Sequence, residues 1–322
     1  MVPQVPHRGR LAPSPTGELH LGHARTFLLA YWHAKSQGGH VVLRIEDVDA
    51  ERASPAHVDQ LRRDLEWLGL EWEGTPRLQS EGLERLRSAA QDLFERDLAY
   101  PCVCSRGDLR AAALAQGSAE EAIGAPHGTG SEFRYPGTCR GRFRTLEQAE
   151  RASGRPAGLR LAVPPGRVSF VDLLRGRVEE DVAQETGDFL IVRRDKTPSY
   201  HLAVVADDAE DGVMDVLRGE DLLESTARQV LLGRLLGLPD STYAHVPLVL
   251  DEHGKRLAKR DQARSLGELR TRGVSAEAIV AWAARSAGQV TPDVRELRVA
   301  EVCADFDLGR LPRDGVIAPS FG

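Results

Sequence analysis

Two histidines three apart, His20 and His23, stand inside the stretch "GRLAPSPTGELHLGHARTF" that runs from Gly9 to Phe27. At the entrance to a helix that follows a strand, they set two hydrogen-bond donors beside backbone N–H groups and the positive end of the helix dipole. That arrangement suits a polyphosphate. Gly22 lets a flat ligand lie against the backbone, and the Pro-rich turn before it fixes the approach. Far downstream, "GKRLAKRD" puts Lys255, Arg256, Lys259 and Arg260 in a Gly-containing loop after a strand. A mobile cationic loop can close on the charge that develops as pyrophosphate leaves. Each string alone has a plainer meaning: polar helix-start residues for the first, a solvated charged surface for the second. Together they are much more specific.

A third group is made of sulfur. Cys102-Val103-Cys104, followed by Tyr135 and Cys139, offers three thiolates and a phenolate, enough for a four-coordinate Zn²⁺. For the fourth ligand His127, in the glycine-rich stretch between, is the imidazole alternative that chemistry alone favours. The metal-free reading is three buried cysteines in a reduced protein, and Cys303 stands apart as a core residue. Four cysteines are too few for a disulfide scaffold.

These groups need elements to hold them. "GRLAPS" reads as a strand, followed by a helix from about His23 to Gln37 with Phe27, Leu28, Tyr31 and Ala34 on one face and Gly38-Gly39 as its stop. "HVVLRIEDVD" alternates as a second strand, and Ser54-Pro55 opens a helix whose apolar stripe is Val58, Leu61, Leu65 and Leu68. Strand, helix, strand, helix predicts a parallel α/β sheet. From about Tyr100 to Leu190 the character changes to an inserted subdomain, with the Ala/Gly-rich "LRAAALAQGSAEEAIGAPHGTGSEF" as a flexible loop. "DFLIVRRDKTPSYHLAVVADD" then reads as two β-rich runs joined by a turn. "VMDVLRGEDLLESTARQVLLGRLLGL" supplies a strand and a helix, and the end of the chain a small helical tail.

The chain has 322 residues with 41% apolar content, which supports a packed core. Its net charge of −6 excludes a general polycation, so any nucleic-acid site must be a local patch. Two such patches are available: Arg134, Arg140, Arg142 and Arg144 near the cysteines, and the basic run from Lys255 to Arg272. No apolar run approaches the ~20 residues of a membrane helix, and the N-terminus lacks a secretory apolar stretch. The expected compartment is cytoplasmic.

The motifs together resemble the class I aminoacyl-tRNA synthetases, with "HLGH" as the first signature and "RLAKR" as a variant of the lysine-rich second. "RLAPSPTGELHLGHA", "LRIEDVD", "YHLAVVADD" and "VLRGEDLLEST" narrow the resemblance to the glutamyl group. Length points within it to the shortened glutamyl-queuosine paralogue family. The resemblance implies a Rossmann-like catalytic domain in residues 1–99 and 191–259, and a zinc-containing acceptor-type insert in 100–190. It implies a small, mainly helical stem-contact region in 260–322, with no anticodon-binding domain. It also implies tRNA-independent formation of glutamyl-adenylate from ATP, then transfer of glutamate to queuosine at the wobble position of tRNA(Asp). The alternatives are a truncated enzyme charging tRNA(Glu) and an inactive RNA-binding relative.

By this resemblance Arg10 and Arg218 hold carboxylates, Glu46 takes the ammonium, Tyr200 shapes the pocket, and Leu11, Ala12, Pro13 and Ser14 line it. Two cationic groups and an anion at fixed distances are what glutamate demands. Arg44 and Glu46 share a strand face, so a plain structural ion pair is the other reading of that carboxylate. His20, Gly22, His23 and Lys259 fall to ATP, with Mg²⁺ sharing the phosphate charge. The second signature carries Arg256 and Ala258 where relatives often have Lys and Ser, while Lys259 matches the ATP-contacting lysine. The resemblance favours Tyr135 as fourth zinc ligand beside Cys102, Cys104 and Cys139. The partners implied are ATP, L-glutamate and queuosine-bearing tRNA(Asp), with no membrane and a monomeric state.

Overall fold

The computed structural model describes residues 7–49, 53–115, 134–257 and 265–321. The first half runs β1 (Arg8–Leu11), α1 (Leu21–Ser36), β2 (His40–Ile45), α2 (Pro55–Trp67), β3 (Arg77–Leu78), α3 (Leu83–Glu95), β4 (Ala99–Cys102), α4 (Arg106–Ala115) and α5 (Leu146–Ser153). There follow β5 (Gly158–Leu161), β6 (Val168–Asp172), β7 (Gly176–Glu180), α6 (Val182–Glu185), β8 (Leu190–Val192), α7 (Tyr200–Glu210), β9 (Asp215–Gly219) and α8 (Leu223–Leu235). The last are β10 (Thr242–Val246), β11 (Val249–Leu250), α9 (Leu266–Thr271), α10 (Ala276–Ser286) and β12 (Val316–Ile317).

β1, β2 and β3 form a parallel sheet in that order, with Arg10 opposite Val42. A second sheet runs β7-β6-β10-β9, parallel except for the β6–β7 hairpin. β1 lies alongside β9 and α1 crosses both, so the first turn of α1 faces the strand ends. This is the parallel α/β architecture expected. The helix is one turn-start earlier than the sequence suggests, because His20 itself is the N-cap. Ser54 is the N-cap of α2 with Pro55 in its first turn, and Leu61, Leu65 and Leu68 are buried.

Two expectations need correction. "YHLAVVADD" is not a strand but the body of α7. Ser199 caps it, accepting from Leu202 N, and seven of its residues are buried. A helix buried on most sides loses the polar face that gives a 3.6-residue period, so its apolar run mimics a strand. The second concerns the insert. β6 and β7 fall within residues 100–190, yet they extend the sheet of β9 and β10. β4, β5 and β8 form a separate antiparallel sheet, beside a small core of Tyr100, Cys102, Val103, Tyr135, Cys139, Phe143, Ala149 and Ala157. The helical region after residue 265 shares the main core: α10 contributes Ile279, Val280 and Trp282 to the cluster that contains Leu28, Leu29 and Trp32 of α1. Among the described residues no helix is long and apolar enough to cross a membrane.

Candidate active site

A cleft of about 600 Å³ opens where β1, β2 and β9 end, the position at which parallel α/β sheets place their ligands. Its lining includes Arg10, Ala12, Pro13, Ser14, His20, Gly22, His23, Glu46, Tyr200 and Arg218. Residues from four separated stretches of sequence thus share one wall. The exception is Leu11. It points into the core at 0% exposure and is not part of the lining, because alternation along β1 turns it away from Arg10.

The histidines hold the turn as well as facing the cleft. His20 Nδ1 accepts from Gly22 N at 3.1 Å, and His23 Nδ1 accepts from His20 N at 3.3 Å. The two rings stack with centroids 3.8 Å apart. Accepting at Nδ1 leaves the ring proton on Nε2, so each outer nitrogen is a donor. An added Cβ at Gly22 would come within 2.9 Å of the His20 ring.

At the other end of the cleft is a buried charge network. Arg44, fully buried, pairs with Asp208 at 2.7 Å and Asp211 at 2.9 Å, and with Glu46 only at 3.4 Å. The plain Arg44–Glu46 pair is therefore present but is the weakest arm of the set. Burial pushes the Glu46 carboxyl up despite Arg44 and Arg10, which marks a site that gains from an incoming cation. Burial also opposes ionisation of Asp208, but Arg10 and Arg44 outweigh it and hold that carboxyl low. Glu46 N donates to Pro13 O at 2.9 Å, tying the end of β2 to the "APS" turn. Arg10 Nε donates to Asp208 Oδ1 at 3.1 Å. Burial, and then Glu46, raise the Tyr200 phenol, which keeps it a donor.

Lys259, Ala258 and Arg260 lie outside the described residues, as does His127. The flanks of that segment are fixed: Leu257 N donates to Val249 O, Leu266 N donates to Leu19 O, and Ser265 forms a bridge with His20. Arg256 pairs with Asp221 at 2.8 Å, and both line the cleft.

The cysteine group converges. The Cys102, Cys104 and Cys139 sulfurs lie within 4.8 Å of one another, with Cys104 Sγ and Cys139 Sγ 3.6 Å apart. The Tyr135 hydroxyl is 3.5 Å from Cys102 Sγ and 3.7 Å from Cys104 Sγ. Metal–sulfur bonds of about 2.3 Å in a tetrahedron set sulfurs about 3.8 Å apart, so the donor set fits one metal ion. The Cys104 thiol, donating to Cys102, holds the Cys102 thiol well below the usual range, and the Arg160 guanidinium adds to this. Arg160 Nε lies 3.4 Å from Cys102 Sγ, and its guanidinium stacks 3.8 Å over the Tyr135 ring. Cys104, Tyr135 and Arg160 also line the cleft, so the cysteine site is its far wall. Of the basic residues nearby, all on the surface, Arg140 pairs with Asp188 at 3.2 Å and Arg134 donates to Ala183 O. Arg142 and Arg144 are exposed.

Sequence reasoning missed Asp208, Asp172 and His245. Asp172 and His245 are each a single polar residue in an apolar string, Asp208 is one of several acids in "ADDAED", and the partner of each is distant in sequence, so spacing carried no signal.

A cleft joining a histidine-capped helix start to a buried carboxylate between arginines, at the ends of parallel strands, defines an adenylate-forming synthetase of the class I type. The chain belongs to the family described as "tRNA synthetases class I (E and Q), catalytic domain", whose profile matches residues 7–313. It is 43% identical over 321 residues to Glutamyl-Q tRNA(Asp) synthetase of Symbiobacterium thermophilum, covering 97% of this chain and 96% of that protein. It is 40% identical over 310 residues to Glutamate--tRNA ligase of Synechococcus sp. (strain JA-3-3Ab), 95% of this chain but 62% of that protein. The crystal structure of a glutamate tRNA ligase from Elizabethkingia meningosepticum in complex with its amino acid is also similar. It superposes with a TM-score of 0.79 at 27% identity, covering 97% of this chain and 67% of that one.

Proposed function

We propose that the chain activates glutamate with ATP, with no tRNA needed for that step, and passes it to queuosine at the wobble position of tRNA(Asp). The observation that carries this reading is the match over nearly the whole length of the Glutamyl-Q tRNA(Asp) synthetase relative, against 62% of the Glutamate--tRNA ligase. The cleft supports the first half. Arg10 and Arg218 bind the two carboxylates of glutamate, Glu46 the ammonium, and Tyr200 donates a hydrogen bond, with Ala12, Pro13 and Ser14 as lining. The α-carboxylate oxygen attacks the α-phosphorus of ATP, and the bond to pyrophosphate breaks. A hydroxyl of the queuosine ring then attacks the acyl carbon, and AMP leaves. No protein nucleophile is needed, so rate comes from positioning and from charge placed at the phosphates. His20 and His23 supply N–H donors, Gly22 the open backbone, and Lys259 the closing cation. Mg²⁺ arrives with ATP and neutralises phosphate charge.

Cys102, Cys104, Cys139 and Tyr135 hold Zn²⁺ in this reading, with a structural role: the ion stiffens the cleft wall that faces the RNA. The catalytic unit comprises residues 1–99 and 191–259 together with β6 and β7, and the insert is what surrounds the cysteines.

Glutamylation of unfractionated tRNA with and without queuosine tests the reading. Labelled glutamate should reach only queuosine-bearing tRNA(Asp), and prior periodate oxidation of the cis-diol should abolish it. Label mapping to the 3′ end of tRNA(Glu) would overturn the proposal.

A further inference from the structure

Arg218 is held from behind by a chain of buried groups that never reaches the cleft. Its Nε donates to His245 Nε2 at 3.1 Å, and its Nη2 donates to Thr226 Oγ1 at 2.8 Å. The far side of the same ring, His245 Nδ1, sits 2.6 Å from Asp172 Oδ2. Both the His245 and the Asp172 side chains are 0% exposed. The three residues come from adjacent strands, β6, β10 and β9, and His245 is the direct register partner of Arg218. Asp172 is itself fixed, because its Oδ1 accepts from Leu174 N and Arg175 N, both at 2.9 Å.

The carboxylate fixes the order of donors and acceptors from Asp172 through His245 to Arg218. An ionised carboxylate only accepts, so Nδ1 of His245 carries the proton. Nε2 is then a lone pair, which is what the Arg218 Nε–H requires. Burial holds the imidazole down, to about 4, in spite of Asp172, so the ring stays neutral and keeps that lone pair. The Thr226 hydroxyl accepts from Arg218 Nη2, and its own proton has two acceptors in reach, His245 Nε2 at 3.0 Å and Leu222 O at 3.2 Å. Nε and Nη2 are thereby committed. The Nη1 edge has no protein acceptor among the described residues, and Arg218 lines the cleft.

We propose that Asp172 and His245 are positioning residues for glutamate activation: the Asp172–His245 relay fixes the plane of Arg218 so that its Nη1 edge meets a substrate carboxylate. This rests on the reading of Arg218 as part of the glutamate pocket. Neither residue lines the cleft, so both act only through Arg218. A buried guanidinium without the relay would keep its charge but lose one fixed orientation, which weakens a directional carboxylate contact more than it weakens ATP binding.

The test measures KM for glutamate and for ATP, and kcat, in glutamate-dependent pyrophosphate exchange. In Asp172→Asn the amide donates to Nδ1, drives the ring proton to Nε2 and sets it against the Arg218 N–H. His245→Leu removes the acceptor altogether. Each should raise the glutamate KM about tenfold, the range for a compromised hydrogen bond to a charged group, with the ATP KM unchanged. His245→Gln, whose amide oxygen reaches the Nε2 position, should restore most of the loss. Adding His245→Leu to Arg218→Lys should raise the glutamate KM no further, since the two then act as one unit. If Arg218→Lys raises the glutamate KM and the relay variants do not, the relay is overturned and the pocket stands. If Arg218→Lys itself has no effect, the pocket reading fails and the relay falls with it. A rise in both KM values that Gln does not rescue reports structural damage and also overturns positioning. Should Asp172→Asn fail to fold, the His245 Leu and Gln pair decides alone.

Discussion

At the scale of single residues, the plain reading of "HLGH" as a helix start holds, and its histidines and Gly22 line the cleft where the proposed ATP contact would form. His20 and His23 cap α1 through their Nδ1 atoms, and the same caps orient their outer nitrogens beside the first-turn N–H groups. Gly22 makes this possible by leaving room for the His20 ring. In Gly22→Ala the new Cβ would lie 2.9 Å from His20 Cε1 and 3.0 Å from Nδ1, so the ring must swing away. Alanine gains about 0.5–1 kcal/mol of intrinsic helix preference over glycine, which offsets the loss of the His20 cap, about 0.5–2 kcal/mol, so stability should change little. The ATP KM in pyrophosphate exchange should nevertheless rise about tenfold, the cost of a lost phosphate hydrogen bond. An unchanged ATP KM would show that the ring is not needed where it stands. That Arg10, Glu46, Tyr200 and Arg218 would share one cleft was legible because each sits in a contiguous string with a resemblance attached. Asp208 and Arg44 were not legible as a site, since their pairing exists only once β2 packs against α7. Asp172 and His245 were hidden for the same reason, being joined across two strands.

At the scale of elements, sequence periodicity reached the strands and helices that keep one wet face and failed on those that do not. α2 shows its stripe because one side meets solvent, whereas α7, buried on most sides, reads as a strand. The insert was harder still. Its strands are three to five residues long, too short to establish a period, and β6 and β7 belong to the other sheet. Its small core compensates with the cysteine group, where Arg160 both stacks on Tyr135 and approaches Cys102. Four donors around one point, with a guanidinium offsetting thiolate charge, should bind one zinc per chain by atomic emission. That stoichiometry should survive His127→Ala and fall with Cys139→Ser, because removing one of three thiolates leaves too few soft ligands. Loss of zinc in the His127 variant instead would transfer the fourth position to the imidazole.

At the scale of the whole molecule, the region from Ser265 onward is a wall of the catalytic core and not a unit appended to it. Arg25 of α1, fully buried, donates to Pro247 O, just past β10, at 2.9 Å and to Ser286 Oγ at 2.8 Å, so it bolts the end of β10, α1 and α10 together. Trp32 Nε1 donates to Val299 O at 2.9 Å, and β12 closes onto β11. Trp282 of α10, 5% exposed, packs in the same cluster as Leu28 and Trp32. Truncating it to alanine should cost about 3–5 kcal/mol, the range for deleting a buried aromatic ring. Since the cavity opens in a core shared with α1, the loss should appear everywhere at once. Calorimetry should show one transition shifted to lower temperature, and pyrophosphate exchange should disappear at that same temperature. Two separated transitions, with exchange surviving the first, would mean that the C-terminal region folds apart from the site. One transition would tie the helix start at the cleft to the far end of the chain through a single buried layer.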